Sequence, residues 1–488
     1  MQQGLARVRL WLAFGLGAWM ASAQAWKGEM QPFEAQDTFG GVTTFQSTTF
    51  QQAYDTPPVV VTLPTVQGAN VATIRFQDVT STGFESSIVE SRRQDGPHVA
   101  MDTAYIAIEP GVHLLPDGRT IVAGFVETTR VQKGSGVSGV AGWENVAFGY
   151  TFDAPPTILA NVQTSNNEQG EGGQLPPRVS SIPWLTTAVG AISTTSVQLA
   201  LERSQAYQGT VTQTERIAYI AIENGASGQF VDNNGATIQY LAQTSSPVID
   251  GWSNSGEVVN FSMPFANTPL LVATKNGRNN ADGGWLRRNR NFSGSQVVLR
   301  IDEDTEQDNE RSVGGTERES AGLFAVSQGF VLDLPPAFTV KKSSEVIWDP
   351  VNLDTYPKAI PGAIVEYTLT VTNEGYDYSD DDTFMIADSL PADTDLVVID
   401  INGAGSGPVT FTDGTSSSGT SWDFGGLSDA ADSLEFSTDG VDFSYSPSAD
   451  ADGVDSAVSA VRLRPQGQFA ADPNNPPTAT YRYRVKIR

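Results

Sequence analysis

The sequence predicts an all-β chain made of tandem antiparallel β-sandwich domains, with an immunoglobulin-like domain at the C-terminal end. Three observations lead to this prediction. Short runs that alternate apolar and polar residues recur between Gly, Pro, Asn and Asp, and long apolar stretches with a helical period are missing. One sequence pattern also occurs three times along the chain. With 488 residues, the chain is long enough for several domains.

The first residues have the pattern of a cleavable secretory signal. Arg7 and Arg9 precede an apolar run over residues 10–20, and small residues follow at the spacing of a cleavage site, ending at Ala23 or at Ala25. A membrane anchor would need about 20 apolar residues, which this run does not reach. We therefore expect a signal peptide over residues 1–23, or 1–25, and a secreted or cell-surface protein without a transmembrane segment.

Charge and composition exclude several classes of function. The net charge is −27, whereas nucleic-acid binders neutralise phosphates with Lys and Arg, so nucleic acid is not an expected partner. The chain has no Cys and two His, His98 and His113, which excludes Cys-based nucleophiles and Cys-rich or three-His metal centres. Neither His lies near a nucleophile-elbow motif. Paired carboxylates would be the remaining catalytic option, and we expect that the protein is not an enzyme.

The repeated pattern defines three copies. Each copy has two aromatic residues four positions apart, then a Pro four positions later and an apolar strand, and each ends in a second, longer apolar strand. The aromatic residues and prolines are Phe50, Tyr54 and Pro58, then Phe148, Phe152 and Pro156, then Phe261, Phe265 and Pro269. The predicted domains are residues 38–133, 141–247 and 250–333.

Two details of the copies bear on their structure. Copies one and two end in a predicted hairpin whose turn is Asp117-Gly118 or Asn234-Gly235, the dipeptides that two-residue hairpin turns favour. Copy three lacks this tail. Copy two also contains an insertion over residues 166–177, rich in Gly, Glu, Asn and Gln, which we expect to form a long exposed loop.

A different module follows, over residues 337–488. Residues 365–375 alternate with a period of two and end in a turn, and residues 386–392 and 481–488 complete the pattern. These segments resemble the repeat domain of bacterial and archaeal surface proteins whose strand reads YTLTVTN followed by Gly. The resemblance implies an immunoglobulin-like sandwich that serves as a spacer or an assembly module on cell surfaces.

The three copies resemble H-type lectin domains. The resemblance lies in Phe50 and Tyr54 before the Pro at 58, in residues 79–84, and in residues 105–108. It implies six-stranded antiparallel sandwiches that bind N-acetylgalactosamine-type sugars and often trimerise. All of the matching positions belong to the framework of the fold, and copies two and three lack the Gly83-Phe84 pair. The resemblance therefore supports the fold of the three copies more directly than it supports a sugar ligand.

Candidate ligand-binding residues lie in the loop that joins the last two strands of a copy. Lectin sites combine hydrogen-bonding side chains with an aromatic face, and this loop contains both kinds of residue. The candidates are Arg92, Arg93, Asp95 and His98 in copy one, and Arg203 and Tyr207 in copy two. The alternative is a polar loop that binds no ligand.

Acidic and basic clusters suggest two further sites. Asp450, Asp452 and Asp455 surround a Gly turn, and calcium binds closely spaced oxygens, so this segment is a candidate calcium site or else a solvated acidic turn. Calcium is possible, and no cofactor is required. The one dense basic segment, residues 285–290, fits an ion-paired internal strand or a site for an anionic glycan.

Together these features predict a secreted or cell-surface, adhesin-like protein that binds extracellular glycans through its lectin-like copies. The alternative is a structural subunit of an extracellular assembly that binds no sugar. Expected partners are extracellular glycans or other surface proteins, and a homo-oligomer is possible.

Overall fold

The computed structural model describes residues 26–36, 45–90, 98–132, 142–168, 183–204, 209–252, 256–281, 283–290, 292–304, 317–472 and 475–488. These residues contain no α-helix, and their strands form many antiparallel sheets, which confirms the all-β prediction. None of them belongs to a helix that is long and apolar enough to cross a membrane. The chain divides into two compact units, whose described parts lie within 26–333 and 334–488.

The first unit contains the three copies. Copy one consists of β2 (Gln46–Thr49), β3 (Val59–Thr62), β4 (Ala72–Gln77), β5 (Gly83–Glu90) and β6 (Met101–Ile108). Copy two consists of β10 (Glu144–Ala147), β11 (Thr157–Val162), β12 (Leu185–Ile192), β13 (Ser196–Arg203) and β14 (Glu215–Ile222). Copy three consists of β17 (Glu257–Asn260), β18 (Leu270–Lys275), β19 (Gly284–Arg288), β20 (Gln296–Glu303) and β21 (Ala321–Val326).

The remaining strands of this unit lie before, between and after the copies. They are β1 (Trp26–Ala35), β7 (Gly111–Leu114), β8 (Thr120–Thr128), β9 (Val131–Gln132), β15 (Ser227–Val231), β16 (Thr237–Thr244) and β22 (Phe330–Leu334). Each copy is a sandwich of two sheets. The three-stranded sheets have the orders β2-β5-β4, β10-β13-β12 and β17-β20-β19, and β9 also pairs with β13. The four-stranded sheets have the orders β3-β6-β1-β22, β11-β14-β8-β7 and β18-β21-β16-β15.

The two hairpins pair with the copy that follows them in the chain. The β7–β8 hairpin joins β14 of copy two, and β15–β16 joins β21 of copy three. The sequence bounds 38–133 and 141–247 had grouped each hairpin with the preceding copy. Apolar burial explains the pairing, because Val122 of β8 packs in the core of copy two and Leu241 of β16 packs in the core of copy three.

In copy one, the first and last strands of the unit occupy the place that the hairpins have in copies two and three. β1 pairs with β6 along the register from Gly28–Ile108 to Ala35–Met101, and β22 is the neighbour of β1 on its other side. Phe33 and Ala35 of β1 pack with the core of copy one. The first and last strands of the unit therefore lie side by side and close it.

The three copies form a ring. The edge strands β3, β11 and β18 contact one another, and each also contacts an inner strand of the next copy: β3 contacts β14, β11 contacts β21, and β18 contacts β6. Each copy therefore contacts the next one through the same two surfaces, and these two surfaces differ from each other. Such head-to-tail contacts close into a ring when the rotation between units is right, and here one chain supplies all three units.

The second unit is a sandwich of its own. Its strands are β23 (Phe338–Trp348), β24 (Ile364–Asn373), β25 (Ile386–Ser389), β26 (Thr394–Val397), β27 (Val409–Asp413), β28 (Leu434–Ser437), β29 (Val454–Asp455), β30 (Ala460–Leu463) and β31 (Thr478–Ile487). A six-stranded sheet, β23-β24-β31-β26-β29 with β27 on β31, faces the three-stranded sheet β25-β30-β28 across one apolar core. The strands predicted at 365–375 and 481–488 are β24 and β31.

Candidate functional site

The contact surfaces between the copies, which we call the seams, hold buried charges. At the seam between copies one and two, Arg75 of β4 forms a two-bond ion pair with Glu168, with distances of 2.7 Å from Nε to Oε2 and 2.6 Å from Nη2 to Oε1. Both side chains are buried. Gln163 joins the same copies, since its Oε1 accepts from the Val60 amide and its Nε2 donates to the Pro58 carbonyl. Charge-assisted two-bond pairs fix orientation as well as contact.

The seam between copies two and three has the opposite arrangement of charge. Here copy two supplies the acid, Glu202 of β13, and copy three supplies two bases: Lys275 Nζ lies 2.6 Å from Oε2, and Arg278 Nε lies 2.5 Å from Oε1. The Trp184 and Trp285 rings pack beside this cluster with their centroids 4.1 Å apart. This seam therefore combines a charge cluster with a contact between two Trp rings.

The close approach of copies two and three depends on one glycine. Gly283 has a φ of +73°, and a Cβ at this position would lie 2.2 Å from the backbone oxygen of Arg203. Any larger residue would be strained in its backbone and would also collide with copy two. Gly283 thus sets the distance between these two copies.

The seam between copies three and one is built on Arg287 of β19, whose side chain is fully buried. It donates to the Thr65 carbonyl from Nε at 3.0 Å and Nη2 at 2.7 Å, and to the Asn70 carbonyl from Nη1 at 2.7 Å. Asp302 of the neighbouring strand balances its charge at 2.5 Å. The part of the basic segment 285–290 that lies in β19 is therefore an internal strand with an ion-paired Arg287, which is one of the two alternatives given by the sequence.

The three seams share one geometry and differ in chemistry. In the registers of the sandwiches, Arg75, Ala188 and Arg287 occupy equivalent positions, opposite Ser87, Ala200 and Arg300. Two seams therefore use an Arg from this position, and the third uses Glu202 from the next strand. Because the seams differ in this way, the order of the copies around the ring is chemically specified.

The candidate ligand loops begin and end at the seams. His98 is buried, with 7% of its surface exposed, beneath Gly68, where a Cβ would lie 2.6 Å from the ring. Its Nδ1 is 2.7 Å from the Val99 carbonyl and its Nε2 is 3.8 Å from Glu90. Burial, and to a lesser degree the charge of Arg287, lowers its pKa to about 4, so the ring is neutral at pH 7.

Arg203, the candidate in copy two, is also buried, with 3% of its surface exposed, and its Nη1 donates to the Gly209 carbonyl at 2.6 Å. This bond joins the two ends of its loop. Arg92, Arg93, Asp95 and Tyr207 lie outside the described residues. Of the six candidates, the structure thus places two, and both hold the base of a loop at a seam.

The three candidate calcium ligands each accept hydrogen bonds from nearby groups. Asp450 accepts from the amides of Asp452 and Val454, Asp455 accepts from the Ser448 and Ala457 amides, and Asp452 pairs with Lys486 at 2.7 Å. Among the described residues, no group of three or more His, Asp or Glu side chains is arranged to hold a metal ion. Calcium binding here would require these carboxylates to change partners.

Sequence reasoning missed the residues that build the seams. Glu168 falls in the insertion expected to be an exposed loop, yet it is buried against Arg75, so that expectation is wrong for this residue. No sequence pattern indicated that Lys275, Trp184 or Gln163 would form contacts between copies. A comparison of equivalent positions would have helped, because a charged residue in one copy where another has Ala, as with Arg75 and Ala188, indicates a site that is not repeated.

Comparison with known proteins gives one similarity. No family model and no solved structure matches the chain. Halomucin from Haloquadratum walsbyi (strain DSM 16790 / HBSQ001) is 26% identical over 197 residues, which is 38% of this chain and 2% of that protein. The chain therefore spans a very small part of Halomucin. This similarity is consistent with a cell-surface protein and does not bear on glycan binding.

Proposed function

We propose that this chain is a secreted or cell-surface protein whose three-copy ring binds extracellular glycans without catalysis. One observation carries the proposal: the described bases of the candidate loops in copies one and two lie at seams, beside residues of the neighbouring copy. Glu90 and His98 lie near Arg287, and the backbone of Arg203 lies against Gly283. Loops held at their base by buried contacts on a rigid scaffold are common positions for binding residues.

In this proposal the buried and the remaining candidates have separate roles. His98 and Arg203 hold the loop bases, while Arg92, Arg93, Asp95 and Tyr207 contact the sugar. Because the seams differ in charge, we expect the ring to offer unequal sites rather than three identical ones. Several weak sites on one rigid ring gain avidity on a surface that displays many copies of a glycan.

The test is glycan-array binding by the chain from residue 26 to residue 488, with and without calcium. This length keeps β1 and β22, which complete the sheet of copy one. We expect binding to a defined set of glycans, and its loss in the double variant R92A/R93A. The matched control is R119A, which removes an exposed Arg of the turn between β7 and β8 that pairs with Glu223, the residue after β14. Absence of binding to every glycan, in both conditions, would refute the proposal.

A second candidate is a structural subunit, and the second unit supports it. β23 is an eleven-residue edge strand of the six-stranded sheet, and most of its residues are exposed. The loop that follows exposes Val351 and Tyr356, at 74% and 84% of their surfaces. Exposed edges and apolar loops are typical of surfaces that pair between chains.

The solution mass tests the structural candidate. If the chain assembles, sedimentation at increasing concentration will give oligomers or fibres, and Y356S will weaken them. V441S, which changes another exposed apolar residue of this unit, is the control. A chain that stays monomeric at every concentration would count against assembly.

A further inference from the structure

A cavity lies where the three edge strands of the ring meet. Its volume of about 40 Å³ is room for roughly three waters. All three copies contribute to its wall, through β3 and β4, β11 and β12, and β18 and β19. The cavity is therefore complete only when the ring is closed. It is too small for a sugar ring.

The charged side chains in the cavity wall are both cations, Arg75 from copy one and Lys275 from copy three. Their carboxylate partners, Glu168 and Glu202, are not part of the wall. Arg75 uses Nε and Nη2 for Glu168, which leaves the two hydrogens of Nη1 for another acceptor, and Lys275 uses one of its three hydrogens for Glu202. The cavity wall therefore contains two ion-paired cations that still have hydrogen-bond donors to spare.

Hydroxyl groups add to these donors. Thr73 and Thr186 line the cavity on the same strand faces as Arg75 and Ala188, and no acceptor for their hydroxyls is found among the described residues. Thr274 also lines it; its Oγ1 accepts from the Ala160 amide at 2.9 Å, so its own hydrogen remains to be donated. A small cleft with two buried cations and several hydroxyl donors in its wall is complementary to a halide ion, which accepts hydrogen bonds and donates none.

We infer that this axial cavity binds a small halide ion such as chloride. The ion accepts hydrogen bonds from the hydroxyls of copies one and two and from the donors that Arg75 and Lys275 do not use in their ion pairs. It thereby joins all three copies at the one point where they meet. The site is separate from the candidate glycan loops. The proposal of halide binding therefore does not depend on glycan binding.

The test compares thermal unfolding of the chain from residue 26 to residue 488 in sodium chloride and in sodium gluconate at equal ionic strength. Gluconate carries the same charge as chloride but is far larger. A ligand that binds only the folded state stabilises it in proportion to the logarithm of its concentration. Above the dissociation constant, we expect each tenfold rise in chloride to raise Tm by roughly 2–4 °C beyond the gluconate value.

The variant T186V removes one hydroxyl on the cavity face of β12 and keeps the shape of the side chain, so it should abolish or clearly reduce the chloride-specific rise. T49V, which changes an exposed Thr of β2 outside the cavity, should retain the full rise. Equal Tm values in the two salts, or an unchanged chloride effect in T186V, would overturn the inference.

Crystals grown in sodium bromide give a second measurement that needs no variant. We expect an anomalous peak in the cavity, within hydrogen-bonding distance of the Arg75 guanidinium. Bromide confined to the protein surface, with only water in the cavity, would overturn the inference even if T186V failed to fold.

Discussion

The three-copy ring and the second unit are both sandwiches of antiparallel strands, yet they use their carboxylates differently. In the ring, Glu168, Glu202 and Asp302 are buried and pair with Arg or Lys. Two of these pairs join residues of different copies. In the second unit, Asp349, Asp413 and many other Asp side chains accept hydrogen bonds from backbone amides of their own loops. One set of carboxylates connects distant parts of the chain, and the other shapes short segments.

The pKa values follow this difference. Burial raises the pKa of Glu168 to about 7, although Arg75 opposes the shift. In contrast, the amides of Asn352, Lys358 and Val351 outweigh burial and hold the pKa of Asp349 at about 2. A buried ion pair is costly to break and adds specificity more than stability, whereas a carboxylate that accepts several amides stabilises its loop directly. The predictions below test this contrast.

The largest effect is expected from R287A. It removes the guanidinium that joins copies three and one and leaves Asp302 buried without its partner, so the ring should lose about 3–5 kcal/mol of unfolding free energy. Urea denaturation followed by Trp fluorescence measures this loss. The control is R119A, whose exposed ion pair with Glu223 should contribute at most about 1 kcal/mol. Similar losses in the two variants would contradict the role of buried charge at the seams.

A smaller effect concerns pH. Since the pKa of Glu168 is raised from 4.5 to about 7, its contribution to ring stability is fully present below pH 4.5 and is lost as pH rises through 7. At about 1.4 kcal/mol for each pKa unit, this contribution is at most roughly 3 kcal/mol. In E168Q, this dependence between pH 4.5 and 7 should disappear. Identical pH profiles for the two proteins, measured by urea denaturation, would show that Glu168 has an ordinary pKa.

For the second unit, D349A should destabilise the loop after β23 by about 1–3 kcal/mol. Asp349 accepts from three amides, and Leu353 and Tyr356 have positive φ values that the loop must maintain. Hydrogen exchange of residues 350–358 should accelerate while the ring amides stay unchanged. In the wild type, because the pKa of Asp349 is lowered from 3.8 to about 2, its contribution is present above pH 3.8 and is lost as pH falls through 2. D354A, which changes an exposed Asp of the same loop, should exchange like the wild type.

The smallest effect is expected from D452N. The pair of Asp452 with Lys486 is exposed, so the variant should stay within about 1 kcal/mol of the wild type in calcium-free buffer. A titration with calcium, followed by Tm, tests whether this segment binds the ion. A calcium-dependent rise in Tm that is present in the wild type and absent in D452N would show that Asp450, Asp452 and Asp455 change partners to bind the ion.

Much of the fold was predictable because strand patterns are local. The period-two segment at 365–375 is β24, and the apolar ends of copies one and two are β6 and β14. The seams were not predictable, because their partners are distant in the chain. Glu168 sits in a polar, Gly-rich insertion typical of an exposed loop, and only Arg75, far earlier in the sequence, makes it a buried residue.

The sequence by itself determined the strands, the three copies and the change of module near residue 337, because these depend on the alternation of neighbouring residues. The tertiary structure decided which copy each hairpin joins and how the ring closes. The copies repeat one hydrophobic pattern, so the strands of a hairpin are compatible with the sheet of either neighbour. Packing of Val122 and Leu241 in the cores of copies two and three, and the pairing of β1 with β6, decide between them. That choice depends on burial in three dimensions, which the linear pattern does not contain.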